Sequence, residues 1–95
     1  MNIIEKWLKE SGVSYSIEFQ GKVKYIVIVL EKDCVWVNGF NEKMLYDRKI
    51  SIHRNTYGRF SAVIRDGYAS HTLIICTGKQ KEVIKALEEY LPHPL

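Results

Sequence analysis

The residues best equipped for chemistry in this chain are its arginines, and all four stand in one segment of eighteen residues, RKISIHRNTYGRFSAVIR. Arg48, Lys49, Arg54, Arg59 and Arg65 give that segment a charge of +5, with His53 among them and no acidic residue inside it. The remainder of the chain holds nine lysines against eleven carboxylates, so the overall +3 is a local property. A guanidinium presents a planar fork of donors that fits phosphate and carboxylate, whereas an ammonium acts nearly as a point charge. Confining arginine to one segment therefore points to an anionic partner, weighed against the plainer reading of a solvated charged face.

Other chemistries find less support. His53, His71 and His93 are the only histidines. A metal-independent nuclease would need His53 and His71 beside one scissile phosphate, with Arg59 or Arg65 stabilising the developing charge. Asp47 and Lys49 give only the end of a D-x-K pattern, without a second carboxylate in strand context. Thr77-Gly78-Lys79 precedes a helix and suits either a single phosphate or a simple cap. The two cysteines, Cys34 and Cys76, have no CxxC context or metal-ligand spacing. They read as small apolar strand residues in a reducing cytosol, their pairing left open. No catalytic residue, metal or cofactor is assigned.

The elements that must position the basic segment follow from periodicity. Asn2 and Glu5 suggest a capping box for a first helix whose stripe is Ile3, Ile4, Trp7 and Leu8, stopped at Gly12. Tyr15, Ile17 and Phe19 alternate as a strand, and Gly21-Lys22 turns the chain. Val23 to Leu30 is a nearly continuous apolar run, expected to be a central strand covered on both faces. Glu31-Lys32-Asp33 reads as a turn into a short strand, Cys34 to Val37, and Asn38-Gly39 as another turn. Residues 40–47 fit a loop, an irregular turn or one short helical turn. His71 to Cys76 is a last strand, and Thr77 with Gln80 caps a helix over about 78–91. Its buried face would be Val83, Ile84, Leu87, Tyr90 and Leu91, with Pro92 ending it.

Within the basic segment the pattern is a β-hairpin. Asn55-Thr56-Tyr57-Gly58 forms a type I turn with Gly58 at the left-handed bulge position, followed by a second turn at Asp66-Gly67. This sets Asn55 opposite Arg59, His53 opposite Ser61, Ser51 opposite Val63 and Lys49 opposite Arg65, all on one face. Ile50, Ile52, Phe60, Ala62 and Ile64 take the other face, toward the helices. Arg48 and Arg54 share that apolar parity but lie at strand ends, where they are expected to reach solvent. The residues assigned to nucleic-acid binding are Lys49, His53, Arg54, Tyr57, Arg59, Ser61 and Arg65. Tyr57, and Tyr68 at the next turn, offer rings for stacking or for an interface.

One stretch resembles a known family. In RNTYGRFSAVIRDG, residues 54–67, the positions Arg54, Gly58, Arg59, Phe60, Ile64, Arg65 and Asp66 are similar to the core of AP2-type DNA-binding domains and the related integrase arm-type domains. A further strand and a helix follow in the family's order, so the resemblance spans residues 54–90. It implies a three-stranded sheet backed by a helix, with the exposed sheet face entering the DNA major groove. Tyr57 stands where that family has tryptophan, and its Trp-Leu-Gly strand ending is absent.

Ninety-five residues, 46% hydrophobic and 26% charged, give one α+β domain over residues 1–95. The architecture expected is an antiparallel sheet of about five or six strands, with an N-terminal and a C-terminal helix packed on one face. No apolar run approaches the ~20 residues of a membrane helix, and the N-terminus lacks signal-peptide features. The leading function is a small cytoplasmic nucleic-acid-binding protein, accessory or regulatory, with DNA ahead of RNA. The alternative is an assembly module, a homodimer or partner binder that uses a sheet edge or the apolar group Trp36, Phe40, Met44, Leu45 and Tyr46.

Overall fold

Period-two alternation through the middle of the chain is realised as one antiparallel sheet. The computed structural model describes residues 1–65 and 72–91. Helix α1 (Asn2–Glu10) is followed by β1 (Ser16–Gln20), β2 (Val23–Val37), β3 (Lys43–Arg54), β4 (Phe60–Arg65), β5 (Thr72–Gly78) and helix α2 (Gln80–Tyr90). The strands lie in sequence order, each antiparallel to the next. Both helices cover one face, as the pattern requires. Ile4 and Leu8 of α1 and Val83 and Leu87 of α2 are fully buried against Ile26, Ile28, Ile50, Ile52, Ala62 and Ile64.

The sheet has five strands, within the five or six expected, because Glu31-Lys32-Asp33 does not turn the chain. Those residues are taken up as irregularities of a continuous β2, with register shifts between Val29 and Cys34 and with Asp33 in the left-handed region at φ 56°. A bulge and a turn draw on the same polar residues, so local composition does not separate them. Residues 43–47, left between loop and helix on sequence, belong to β3. Beyond the pairs Ser16–Val27 and Lys49–Arg65, β2 and β3 pair only with each other among the described residues. They form an arm with its tip at residues 38–42.

The expectation that Val23–Leu30 is covered on both faces is also corrected. Ile26 and Ile28 enter the helix-covered core, whereas Tyr25, Val27 and Val29 project from the helix-free face. Val27 is nonetheless only 4% exposed, and Val29 is 41% exposed.

The helix ends differ from expectation as well. Asn2 does not cap α1; Met1 is its N-cap residue, without a side-chain bond. Instead Gln80 Oε1, on α2, accepts from the backbone N–H groups of Ile3 (3.1 Å) and Ile4 (3.2 Å). The stop at Gly12 is as expected. Gly12 adopts φ +71°, its N–H bonds Lys9 O, and Val13 N–H bonds Leu8 O, which together make a Schellman ending. Lys79, not Thr77, is the N-cap residue of α2, and its N–H donates to Glu82 Oε1 at 3.2 Å. Tyr90 is partly exposed rather than in the buried face.

Cys34 and Cys76 are both free. They lie on β2 and β5, with β3 and β4 between them. Three strand spacings of ~4.8 Å exceed any disulfide span. Among the described residues no helix is long and apolar enough to cross a membrane.

Candidate nucleic-acid interface

The β3–β4 hairpin takes the expected register. Lys49 lies opposite Arg65, Ser51 opposite Val63, and His53 opposite Ser61. Its loop is closed by Asn55 N–H to Arg59 O (2.7 Å) and Gly58 N–H to Asn55 O (3.1 Å), with Gly58 at φ +77°. Asn55 Oδ1 accepts from Tyr57 N–H and Arg59 N–H, both at 3.0 Å. These bonds hold Tyr57 at the loop tip, 89% exposed.

Extending the ladder to all strands defines the helix-free face row by row. One row reads Glu18, Tyr25, His53, Ser61 and Thr77. The next reads Ser16, Val27, Ser51, Val63 and Ile74, and a third holds Val29, Lys49 and Arg65. Residues directly opposite on one face bring their Cβ atoms to about 5 Å. The Lys49 ammonium and Arg65 guanidinium are thus cross-strand neighbours, and no ion pair joins Lys49, Arg59 or Arg65 to an acid among the described residues.

Across these rows lies a cleft of about 200 Å³ lined by Glu18, Gln20, Tyr25, Lys49, Ser51, His53, Val63 and Arg65. The Tyr25 and His53 rings meet there with centroids 5.0 Å apart, tilted by 35°. His53 Nδ1 has essentially no exposed surface and no hydrogen-bond partner. A buried polar atom left unpaired costs free energy, so its placement calls for an explanation.

Of the residues assigned from sequence, Lys49, His53 and Arg65 come together at this cleft. Arg59 lies on the same face at the hairpin end, with Tyr57 at the tip. Arg54 does not join them. It pairs with Phe60 on the helix-covered side, and its Nη2 lies 3.3 Å from where a Cβ on Gly58 would stand. Ser61 is on the correct face but only 9% exposed, and its hydroxyl lies 3.3 Å from that of Thr77. Arg48 is half-buried rather than fully solvated. His71, Tyr68 and the Asp66-Gly67 turn lie outside the described residues.

The sequence reading did not assign Tyr25, Glu18 or Gln20 to the site. The signal was present: an odd-numbered Tyr25 among even-numbered isoleucines in VKYIVIVL is a polar-tipped ring on the opposite face. The phosphate site considered at Thr77-Gly78-Lys79 is closed by the protein's own carboxylate. A Cβ on Gly78 would stand 2.8 Å from Glu82 Oε2, and Glu82 already accepts the capping N–H. Among the described residues no group of His, Cys, Asp and Glu could hold a metal ion. Asp47 Oδ1 accepts from Asp33 N–H at 3.2 Å, a role within the arm.

A larger cleft, about 450 Å³, lies on the helix side among Ser11, Val13, Leu30, Arg48 and Tyr90. It adjoins Leu91, the last described residue, and gathers no cluster of charge. Comparison with protein-family models, with curated proteins and with solved structures finds no match to this chain.

Proposed function

We propose that the chain binds nucleic acid on the helix-free face of its sheet, as a small accessory or regulatory protein. The observation that carries this reading is the Lys49–Arg65 pair. Two cations sit directly opposite each other on neighbouring strands without an acidic partner among the described residues. Like charges so placed repel, and a phosphate between them converts that repulsion into two charge-assisted contacts. Arg59 extends the charge toward the hairpin tip, where Tyr57 offers a ring. On the AP2-type resemblance read from residues 54–90 of the sequence, this face would be the binding face and DNA would come ahead of RNA.

The test is a salt-titrated fluorescence-anisotropy measurement with short DNA and RNA, both duplex and single-stranded. Log affinity is expected to fall with log salt by ~0.9 per duplex phosphate neutralised and ~0.7 per single-strand phosphate. The Arg59→Ala/Arg65→Ala variant should keep its circular dichroism and lose affinity and part of that slope. Unchanged binding by this variant refutes the assignment of the face.

A second reading, self-assembly, is favoured by the arm. Val35 (56% exposed), Val37 (52%) and Leu45 (65%) share one of its faces, and Phe40 (85%) stands at its tip. These four residues expose on the order of 500 Å² per copy, so two copies reach on the order of 1,000 Å², the floor for a specific interface. The occupant this fits is a second copy of the chain, arm to arm. Sedimentation velocity should show a concentration-dependent mass that Phe40→Ser/Leu45→Ser abolishes. A monomer at all concentrations removes this reading.

A further inference from the structure

The cleft on the helix-free face has a composition that a phosphate-binding surface alone does not require. Phosphate contacts need only cations and hydrogen-bond donors. Here two rings, a carboxylate and a carboxamide stand on the same face as Lys49 and Arg65. Glu18 lies directly opposite Tyr25, Tyr25 directly opposite His53, and Gln20 lies two residues along from Glu18 on the same face. All four line one cleft with Lys49 and Arg65. A carboxylate beside a phosphate-binding pair would weaken the binding of a bare anion. Its presence implies a ligand that is anionic at one end and carries hydrogen-bond donors at the other.

We infer that this cleft takes one unpaired guanine nucleotide of a single strand. The base lies against Tyr25 and His53, its Watson–Crick edge meets Glu18 and Gln20, and its phosphate meets Lys49 and Arg65. The inference rests on the nucleic-acid reading of the same face, narrows it to a single strand, and departs from the duplex major-groove mode that the AP2-type resemblance implies. At about 200 Å³ the cleft is smaller than the ~300–1,000 Å³ pockets that hold drug-sized ligands, which suits one planar ring system. Stacking on side-chain rings requires a base freed from its partner, because in a duplex the faces are covered by neighbouring bases. The guanine edge presents two adjacent donors, N1–H and N2–H, and a carboxylate accepts both in parallel. Adenine and cytosine each set an acceptor beside the exocyclic amine, and uracil or thymine has one donor between two acceptors.

The experiment is anisotropy with a labelled single-stranded pyrimidine tract carrying one central guanine, compared with the same tract carrying adenine and with a duplex of the same length. The guanine strand is expected to bind about fivefold or more tighter than the adenine strand, the low end of what one bidentate contact gives. Glu18→Gln should remove that preference and leave the salt slope unchanged. Tyr25→Ala should weaken every single strand and leave duplex binding untouched. Glu18 is exposed on an edge strand, so Glu18→Gln carries the test even where Tyr25→Ala fails to fold. Equal affinity for guanine and adenine strands overturns the inference while leaving the basic face as a nucleic-acid surface. Absence of binding to every strand and duplex at low salt overturns both.

Discussion

Asn38 and Asn55 play the same part at opposite ends of β3. Each closes a three-residue loop by bonding its backbone N–H to the carbonyl four residues on, at 3.1 Å for Asn38–Glu42 and 2.7 Å for Asn55–Arg59. Each side-chain Oδ1 then accepts two further backbone N–H groups, from Phe40 and Glu42 in one loop and from Tyr57 and Arg59 in the other. The left-handed position is Asn41 (φ 61°) in the first loop and Gly58 (φ +77°) in the second. Asparagine followed by a residue that tolerates positive φ is what this geometry demands. Asn55→Ala removes two acceptor contacts and should cost about 1–2 kcal/mol. Urea denaturation should show a lower midpoint at unchanged slope, which distinguishes a lost bond from a changed fold. Lys49→Thr works in the opposite direction: it relieves the cross-strand repulsion with Arg65, so stability should rise by up to ~1 kcal/mol while nucleic-acid affinity falls.

Among the elements, α1 is the one least able to stand alone. Nine residues are too few to hold a helix without packing. Its apolar face is buried on the sheet, Lys24 Nζ of β2 reaches Glu5 Oε2 at 3.1 Å, and Gln80 of α2 caps its first turn. Gln80→Ala leaves two N–H groups of that turn without a protein acceptor and should destabilise the fold by about 1 kcal/mol. Gln80→Glu should retain stability, since a carboxylate accepts the same bonds and favours a helix N-terminus. This cap was not legible in the sequence, because it joins residues at opposite ends of the chain. The β3–β4 hairpin was legible, since alternation, loop chemistry and the left-handed Gly58 all demand one register. The arm was not, because Glu31-Lys32-Asp33 satisfies the local rules for a turn. Only pairing with β3 makes it a bulge. The cleft was half legible: clustering betrayed its cations, while Tyr25 was hidden in an apolar run and Glu18 in an ordinary alternating strand.

At the scale of the whole molecule, charge and apolar surface are separated along β3. The arm, residues 30–47, carries four acids and two lysines, a net −2, while residues 48–65 carry +5. The basic hairpin tip and the apolar arm tip stand at opposite ends of the same strand. On the proposed readings, an anionic strand would be drawn to the hairpin end and repelled from the arm, so arm pairing and nucleic-acid binding would not compete. If both proposals hold, the two equilibria should respond oppositely to salt. Raising salt from about 50 to about 200 mM reduces the counterion-release contribution and should weaken the proposed nucleic-acid binding steeply. The same change screens the repulsion between two arms of net −2 and leaves their apolar contact intact, so self-association should hold or strengthen. Sedimentation velocity of the free protein and anisotropy of its complex, run in the same salt series, check this directly. Self-association that dissolves with salt would mean that copies meet through their charges, acidic arm against basic face. Nucleic acid would then displace the dimer rather than bind alongside it.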